Sequence, residues 1–156
     1  LKWSKKNNKI PFSVINNQFS LAKMEKPLWP DCLSISDYDY IKYLENNKIT
    51  HFAWSSQARG FFIKENFIQK LLKRKFHRYL KDCFNNSENI KKRKKAEELS
   101  YKYNCSSNDI ALSWVMDQKF PSYAIIGPKN KSELRFSMNS LNIMLSDEDK
   151  KWLSKI

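Results

Sequence analysis

The 156-residue sequence predicts an α/β fold built on a parallel sheet. Three observations carry that expectation. Short β-branched, aromatic or apolar runs at residues 12–16, 49–54 and 123–126 read as strands. The stretches between them place apolar residues at helical spacing. The order is therefore strand, helix, strand, helix-rich stretch, strand, helix, helix. Strands separated by helices pair in parallel through right-handed crossovers.

Residues 1–8 read as the end of a helix that began earlier, and the first residue is Leu1, as expected of a processed chain or a piece of a longer one. Pro11 bounds the first strand, and Gln18 lies just beyond it. Residues 20–35 carry Pro27 and Pro30 and no periodicity, so a loop is expected. Ser36-Asp37-Tyr38-Asp39 has the pattern of a capping box, and Tyr40, Ile41, Tyr43 and Leu44 continue it as a helix ending near Asn46-Asn47. After the second strand, Phe62, Phe67, Ile68, Leu71, Leu72 and Phe76 give a helical rhythm over residues 61–86 with a basic opposite face. A helix of that kind can lie on a membrane or bind a partner; the plainer expectation is an apolar face packed on its own domain. Ala96, Leu99 and Tyr103 share one face of a helix spanning residues 88–103. Ser106-Ser107-Asn108-Asp109 caps a helix whose apolar set is Ile110, Ala111, Trp114 and Val115. Pro121 precedes the third strand. Ser132 is expected to cap a helix carrying Leu134, Met138 and Leu141, and Ser146-Asp147-Glu148-Asp149 a last one with Trp152 and Leu153 inward.

The length suits one domain, and 41% hydrophobic with 14% aromatic residues can fill a core. No apolar run approaches the roughly 18 residues of a membrane span. Cys32, Cys83 and Cys105 form neither a Cys-x-x-Cys nor an even-numbered framework, so reduced thiols in a cytoplasmic protein are expected. The net charge of +13 arises from 29 Lys+Arg against 16 Asp+Glu and concentrates at residues 70–81 and 91–95. Such a field attracts anions, although solvated helix faces account for most charge runs.

In parallel α/β folds, ligands sit beyond the carboxyl ends of the strands. Gln18, residues 54–60 and residues 127–129 all fall there. The chain's two glycines, Gly60 and Gly127, lie in those segments, and glycine permits positive φ or close approach. Trp54 offers a flat ring for stacking, while Ser55, Ser56 and Gln57 offer hydroxyl and amide groups. Arg59 and Lys129 suit phosphate, and a helix starting near Ser132 would aim free N–H groups at the same place. The competing reading makes Trp54 a core residue and Arg59 a surface one. The sequence shows no catalytic set and no metal ligands at suitable spacing. His51 starts its strand, at the wrong end for catalysis, and His77 lies in the basic stretch. Two glycines allow neither a Gly-x-Gly-x-x-Gly nor a Walker loop, and there is no Gly-x-Ser-x-Gly elbow.

These segments resemble a known family. Phe52-Ala53-Trp54-Ser55-Ser56-Gln57-Ala58-Arg59-Gly60-Phe61 resembles the seventh-strand motif of aldo-keto reductases. Val14-Ile15-Asn16-Asn17-Gln18-Phe19-Ser20 resembles their sixth strand, and Asp109-Ile110-Ala111-Leu112-Ser113-Trp114-Val115 the helix before strand eight. Ile125-Ile126-Gly127-Pro128-Lys129 resembles the phosphate loop, and Leu145-Ser146-Asp147-Glu148 a motif near the family's C-terminus. The resemblance covers nearly the whole chain, least at residues 64–87, a variable basic helical insert.

The resemblance implies a (β/α)8 TIM-type barrel, of which residues 1–156 would be a single partial domain with about strands six to eight and their helices. It implies NADP(H) bound without a Rossmann domain and a small-molecule carbonyl substrate. Trp54 would stack on the nicotinamide and Gln18 contact its carboxamide. Ser55, Ser56, Gln57, Ala58, Arg59 and Gly60 would line the pyrophosphate. Gly127 and Lys129 would hold the 2′-phosphate, with Glu133 and Ser137 near the adenine. Ser56 and Gln57 depart from the family's usual Pro and Leu, and Phe136-Ser137 from Glu-Asn. The family's catalytic Asp, Tyr, Lys and His come from its first four strands, which have no counterpart here. A half-barrel leaves open sheet edges and an uncovered inner face, so an N-terminal half or a homo-oligomer is the expected partner. Two other readings stand beside the reductase: a truncated relative that binds NADP(H) or a protein without catalysis, and a basic nucleic-acid-binding protein using residues 64–95.

Overall fold

The computed structural model describes residues 1–35, 38–63 and 82–155. Three strands form one sheet in the order β1-β2-β3, all parallel. Strand β1 is Val14–Gln18, β2 Thr50–Trp54 and β3 Ser122–Ala124. Strand β1 therefore starts two residues later than the sequence suggests, and Gln18 is its last residue. Strand β3 is also shorter than expected, but the Ile125 N–H still donates to the Ala53 carbonyl at 2.9 Å.

Six helices accompany the sheet among the described residues: α1 Lys2–Lys6, α2 Tyr38–Asn47, α3 Ser87–Lys102, α4 Ser107–Met116, α5 Lys131–Asn139 and α6 Asp147–Ser154. Ser106 and Asp109 form a reciprocal capping box at α4, and the Ser146 hydroxyl accepts from the Asp149 N–H at α6. Helix α5 begins earlier than expected. Asn130, in extended backbone, accepts from the Glu133 N–H, which places Ser132 inside the first turn instead of at the cap. The capping sequence proposed at Ser36-Asp37 and most of the basic helix over residues 61–86 lie outside the described residues. At the start of that stretch, the chain makes a 3-10 turn at Ala58–Gly60 and continues in turns through Ile63, so no helix begins at Phe61.

In-register neighbours in a parallel sheet project to the same side. Ile15, His51 and Ser122 share one face with Asn17, Ala53 and Ala124. On that face Ala53 packs with Phe19, Ile35, Leu44, Ile49, Val115 and Phe120. A second core lies beside it, around Leu21, Phe62, Phe84, Ala96, Leu99, Ile110 and Leu153, and Trp114 touches both. Asn89, fully buried, ties the loop after β1 to the start of α3 within this second core, donating to the Lys23 and Phe84 carbonyls at 2.7 Å and accepting from the Lys23 N–H.

On the opposite face the described residues leave apolar side chains partly in solvent. Phe52 and Tyr123 stack on each other at 5.4 Å yet stay 37% and 55% exposed, and Val14 is 47% exposed. Leu134 and Met138 of α5 also face solvent, as does Leu141, which lies in the 3-10 turn after that helix instead of in it. Helix α5 and the turn after it bury Ser137 and Ser140 instead, small residues that let the backbone approach closely. Trp152 likewise lies at the surface, under the Lys95 ammonium at 5.1 Å, while Leu153 is fully buried.

Candidate functional site

After Trp54 the chain must leave the sheet abruptly, and it does so through left-handed backbone. Ser55 has φ 49°, Ala58 45°, Arg59 52° and Gly60 84°. The three non-glycine residues are costly there, at about 1 kcal/mol or more each. The conformation is held by hydrogen bonds from Ala58 N–H to Ser55 O (2.8 Å) and Gly60 N–H to Gln57 O (2.9 Å), and by burial of Ala58, Phe61 and Phe62. Strained backbone of this kind collects at functional sites. Gly60 needs its freedom for φ; a Cβ there would stand 3.3 Å from Ile63 Cδ1, the end of a half-exposed side chain that can shift aside. Gly127 shows no such need, and nothing lies within 4 Å of its would-be Cβ. The sequence argument from backbone freedom thus holds for one glycine only.

Two bonds bring this turn against the exit of β3 and against α5. The Ser56 hydroxyl donates to the Ile125 carbonyl at 2.8 Å, and the Gln57 amide to the Ser137 hydroxyl at 2.9 Å. Ser56, Gln57 and Ser137 are three of the positions that depart from the family pattern, and two of them bond to each other.

Between the segments lies a cleft of about 450 Å³. Ser55, Ser56, Gln57, Arg59, Gly60, Gly127, Lys129 and Glu133 line it, eight of the twelve residues expected at the site. Ala58 does not, because its methyl group belongs to the core. Ser137 is buried behind Gln57. At the start of α5 the Glu133 carboxylate accepts from the Lys129 N–H at 2.7 Å. The cleft therefore carries two cations, Arg59 and Lys129, and one anion.

Gln18 and Trp54 stand outside the cleft as direct neighbours in register at the same end of the sheet. Gln18 is fully buried; its amide donates to the Ser20 hydroxyl at 2.9 Å and accepts from the Ser34 hydroxyl. Trp54 stacks on Trp29 with centroids 4.9 Å apart and planes at 19°.

Sequence reasoning missed Asn108, Ile63, Ile125 and Ile126 as lining residues. Asn108 was legible only as part of a cap. Its signal is that Ser106 and Asp109 complete the cap without it, and its buried Oδ1 has no partner.

No acid–base or nucleophilic set gathers here among the described residues. His51 is fully buried against Phe19 and Phe120, and neither ring nitrogen has a hydrogen-bond partner. Burial lowers its pKa to about 4, offset only in part by the nearby Asn17 backbone, so the ring is neutral. The Cys105 thiol is pushed up to about 11, first by burial and then by Asp109, and burial also raises Cys83. No three His, Cys, Asp or Glu side chains among the described residues are placed to hold a metal ion. No described helix is long and apolar enough to cross a membrane. Arg59 and Lys129 at the cleft can attract an anionic group, with Glu133 beside them.

The comparisons agree with the motifs. No curated protein matches the chain. Among solved structures, the chain is similar to the thermostable aldo-keto reductase Tm1743, crystallised with the inhibitor epalrestat, at 17% identity and a TM-score of 0.60. The match covers 99% of this chain and 43% of that one, so the chain spans less than half of that enzyme's length. The profile of the Aldo/keto reductase family matches residues 1–156. The chain belongs to the aldo/keto reductase family of oxidoreductases.

Proposed function

We propose that the chain is the cofactor-binding part of an NADP(H)-dependent carbonyl reductase. One observation carries the reading: the loop after β2 and the loop after β3 meet in a single cleft whose charged groups are Arg59, Lys129 and Glu133. Trp54 and Gln18 stand side by side at the same sheet end, where a nicotinamide would complete an extended dinucleotide. In this reading Ser55 to Gly60 follow the pyrophosphate, and Gly127 and Lys129 receive the 2′-phosphate. The open space at Gly127 keeps the cleft passable. Glu133 and Ser137 lie toward the adenine end. The cofactor, when bound, supplies the hydride. A small-molecule carbonyl would receive it, with its proton donated by a Tyr of the family's N-terminal strands.

The partly exposed face of Phe52, Tyr123 and Val14 and the exposed apolar side of α5 support a further part of the proposal. The three strands form the C-terminal section of a (β/α)8 barrel that an N-terminal half completes, with 64–87 as a variable insert. The open edges of β1 and β3 would pair with its strands. A cytoplasmic setting fits the three free thiols.

The polyanion reading loses support at α3. Of its five consecutive basic residues, Lys92 pairs with Glu88 at 2.8 Å and Arg93 lies over the Phe61 ring. Lys95 donates to the Trp152 and Lys155 carbonyls, both at 2.7 Å. Those three are spent within the chain. Thermal melting separates the readings. NADPH at 100 times its Kd should add about 2.7 kcal/mol of stability, with a single-stranded oligonucleotide adding none. A shift with the oligonucleotide alone overturns the proposal.

A further inference from the structure

At the sheet end proposed above for a nicotinamide, the chain itself stacks a ring on Trp54 and bonds the Gln18 amide. The loop after β1, residues 19–35, returns to the sheet end it left. The Ile35 N–H donates to the Gln18 carbonyl at 2.8 Å, and Ser34 bridges Gln18 as an added parallel partner. That return presents two groups to the seat. Ser34 and Ser20 take both ends of the Gln18 amide. Trp29 lays its indole on Trp54 at 4.9 Å and 19°, the spacing of an offset stack.

The contact is not core packing. Trp29 is half exposed and belongs to neither core cluster. A large aromatic ring left at the surface is held there by what it covers, and what it covers is the flat ring best suited to a ligand. A planar ring arriving on that side of Trp54 must take the place of Trp29, because two stacked rings leave no gap for a third.

We propose that Trp29 is an internal occupant of the stacking platform, which a nicotinamide ring displaces on binding. The loop thereby regulates the site. It lowers affinity for dinucleotides by the worth of one aromatic stack and closes the apolar platform to water when the cofactor is absent. The proposal rests on the reading of the cleft as a dinucleotide site, and its test separates the two.

The probes are NADPH and 2′-phospho-ADP-ribose, which lacks the nicotinamide, titrated against the full chain. Trp29→Ala should bind NADPH several-fold to about tenfold more tightly, the size of one stacking contact. Its affinity for 2′-phospho-ADP-ribose should not change. Trp29→Phe, which keeps a stacking ring, should stay close to the parent for both. The stacked pair has its own readout: a near-ultraviolet circular dichroism signal lost in Trp29→Ala and displaced by NADPH. Equal NADPH affinity in the parent and Trp29→Ala overturns the occupant role while leaving the cleft standing. Weaker NADPH binding in Trp29→Ala also overturns it, since Trp29 would then be a wall of the seat. Failure of both probes to bind overturns the dinucleotide reading and this inference with it.

Discussion

Among the described residues, His51 is the one through which mild acidification should destabilise this protein. His51 is fully buried between Phe19 and Phe120 with both ring nitrogens unpaired. Its pKa falls from 6.5 to about 4 on folding. The folded value lies below the unfolded one, so between them the unfolded chain binds the extra proton. The stability of the neutral ring is therefore complete above pH 6.5 and is lost as pH falls toward 4. One pKa unit corresponds to about 1.4 kcal/mol, which gives a loss of about 2 kcal/mol at pH 5 and about 3 kcal/mol at the full shift. Asp147 and Asp149 are held below the usual carboxylate range, so they contribute little above pH 5. The assay is urea denaturation at pH 7 and pH 5 for the parent and His51→Leu. Removal of two unpaired nitrogens should leave the variant within about 1 kcal/mol of the parent at pH 7, and the variant should keep most of its stability at pH 5. The same loss in both proteins would refute the assignment, as would a parent indifferent to pH.

Three further outcomes follow from the packing. Asp149 accepts from Lys102 Nζ at 2.7 Å, Tyr103 Oη at 2.5 Å and Ser146 Oγ at 2.8 Å, joining α3 to α6. Burial works to raise its pKa, and these bonds outweigh it. Asp149→Ala should cost roughly 1–3 kcal/mol in urea unfolding. Leu44 is fully buried against the sheet, so Leu44→Ala should cost about 2–5 kcal/mol by the same measurement. Phe52→Ser with Tyr123→Ser, on the partly exposed face, should cost less than Leu44→Ala and reduce self-association in size-exclusion chromatography. A parent chain that is already a sharply melting monomer would count against the missing barrel half.

The parallel order of the strands was legible because helices separate them, and the caps at Ser106 and Ser146 because capping chemistry is local. The cap of α5 was not, since Asn130 and Ser132 are both competent and only the entering backbone selects one. Leu134, Met138 and Leu141 have the spacing of a buried face but stay about half exposed. Periodicity reports what a helix can bury, not what the chain supplies to bury it. At the site, strand ends and cations were readable from spacing, whereas the stack of Trp29 on Trp54 was not. It depends on a loop that carries no periodicity and returns to the sheet through Ser34 and Ile35. Asn108 was hidden for a similar reason: its place in the cleft is set by how α4 packs, not by the motif that starts it.

The central claim is that the loops after β2 and β3 hold one dinucleotide. Titration of NADPH into the parent, Trp54→Ala and Lys129→Glu, followed by nicotinamide fluorescence, tests it most directly. The account predicts saturable binding by the parent. Lys129→Glu, which reverses a charge in the cleft, should weaken it at least tenfold, and Trp54→Ala should lose the nicotinamide signal. Saturable binding that neither substitution changes would contradict it.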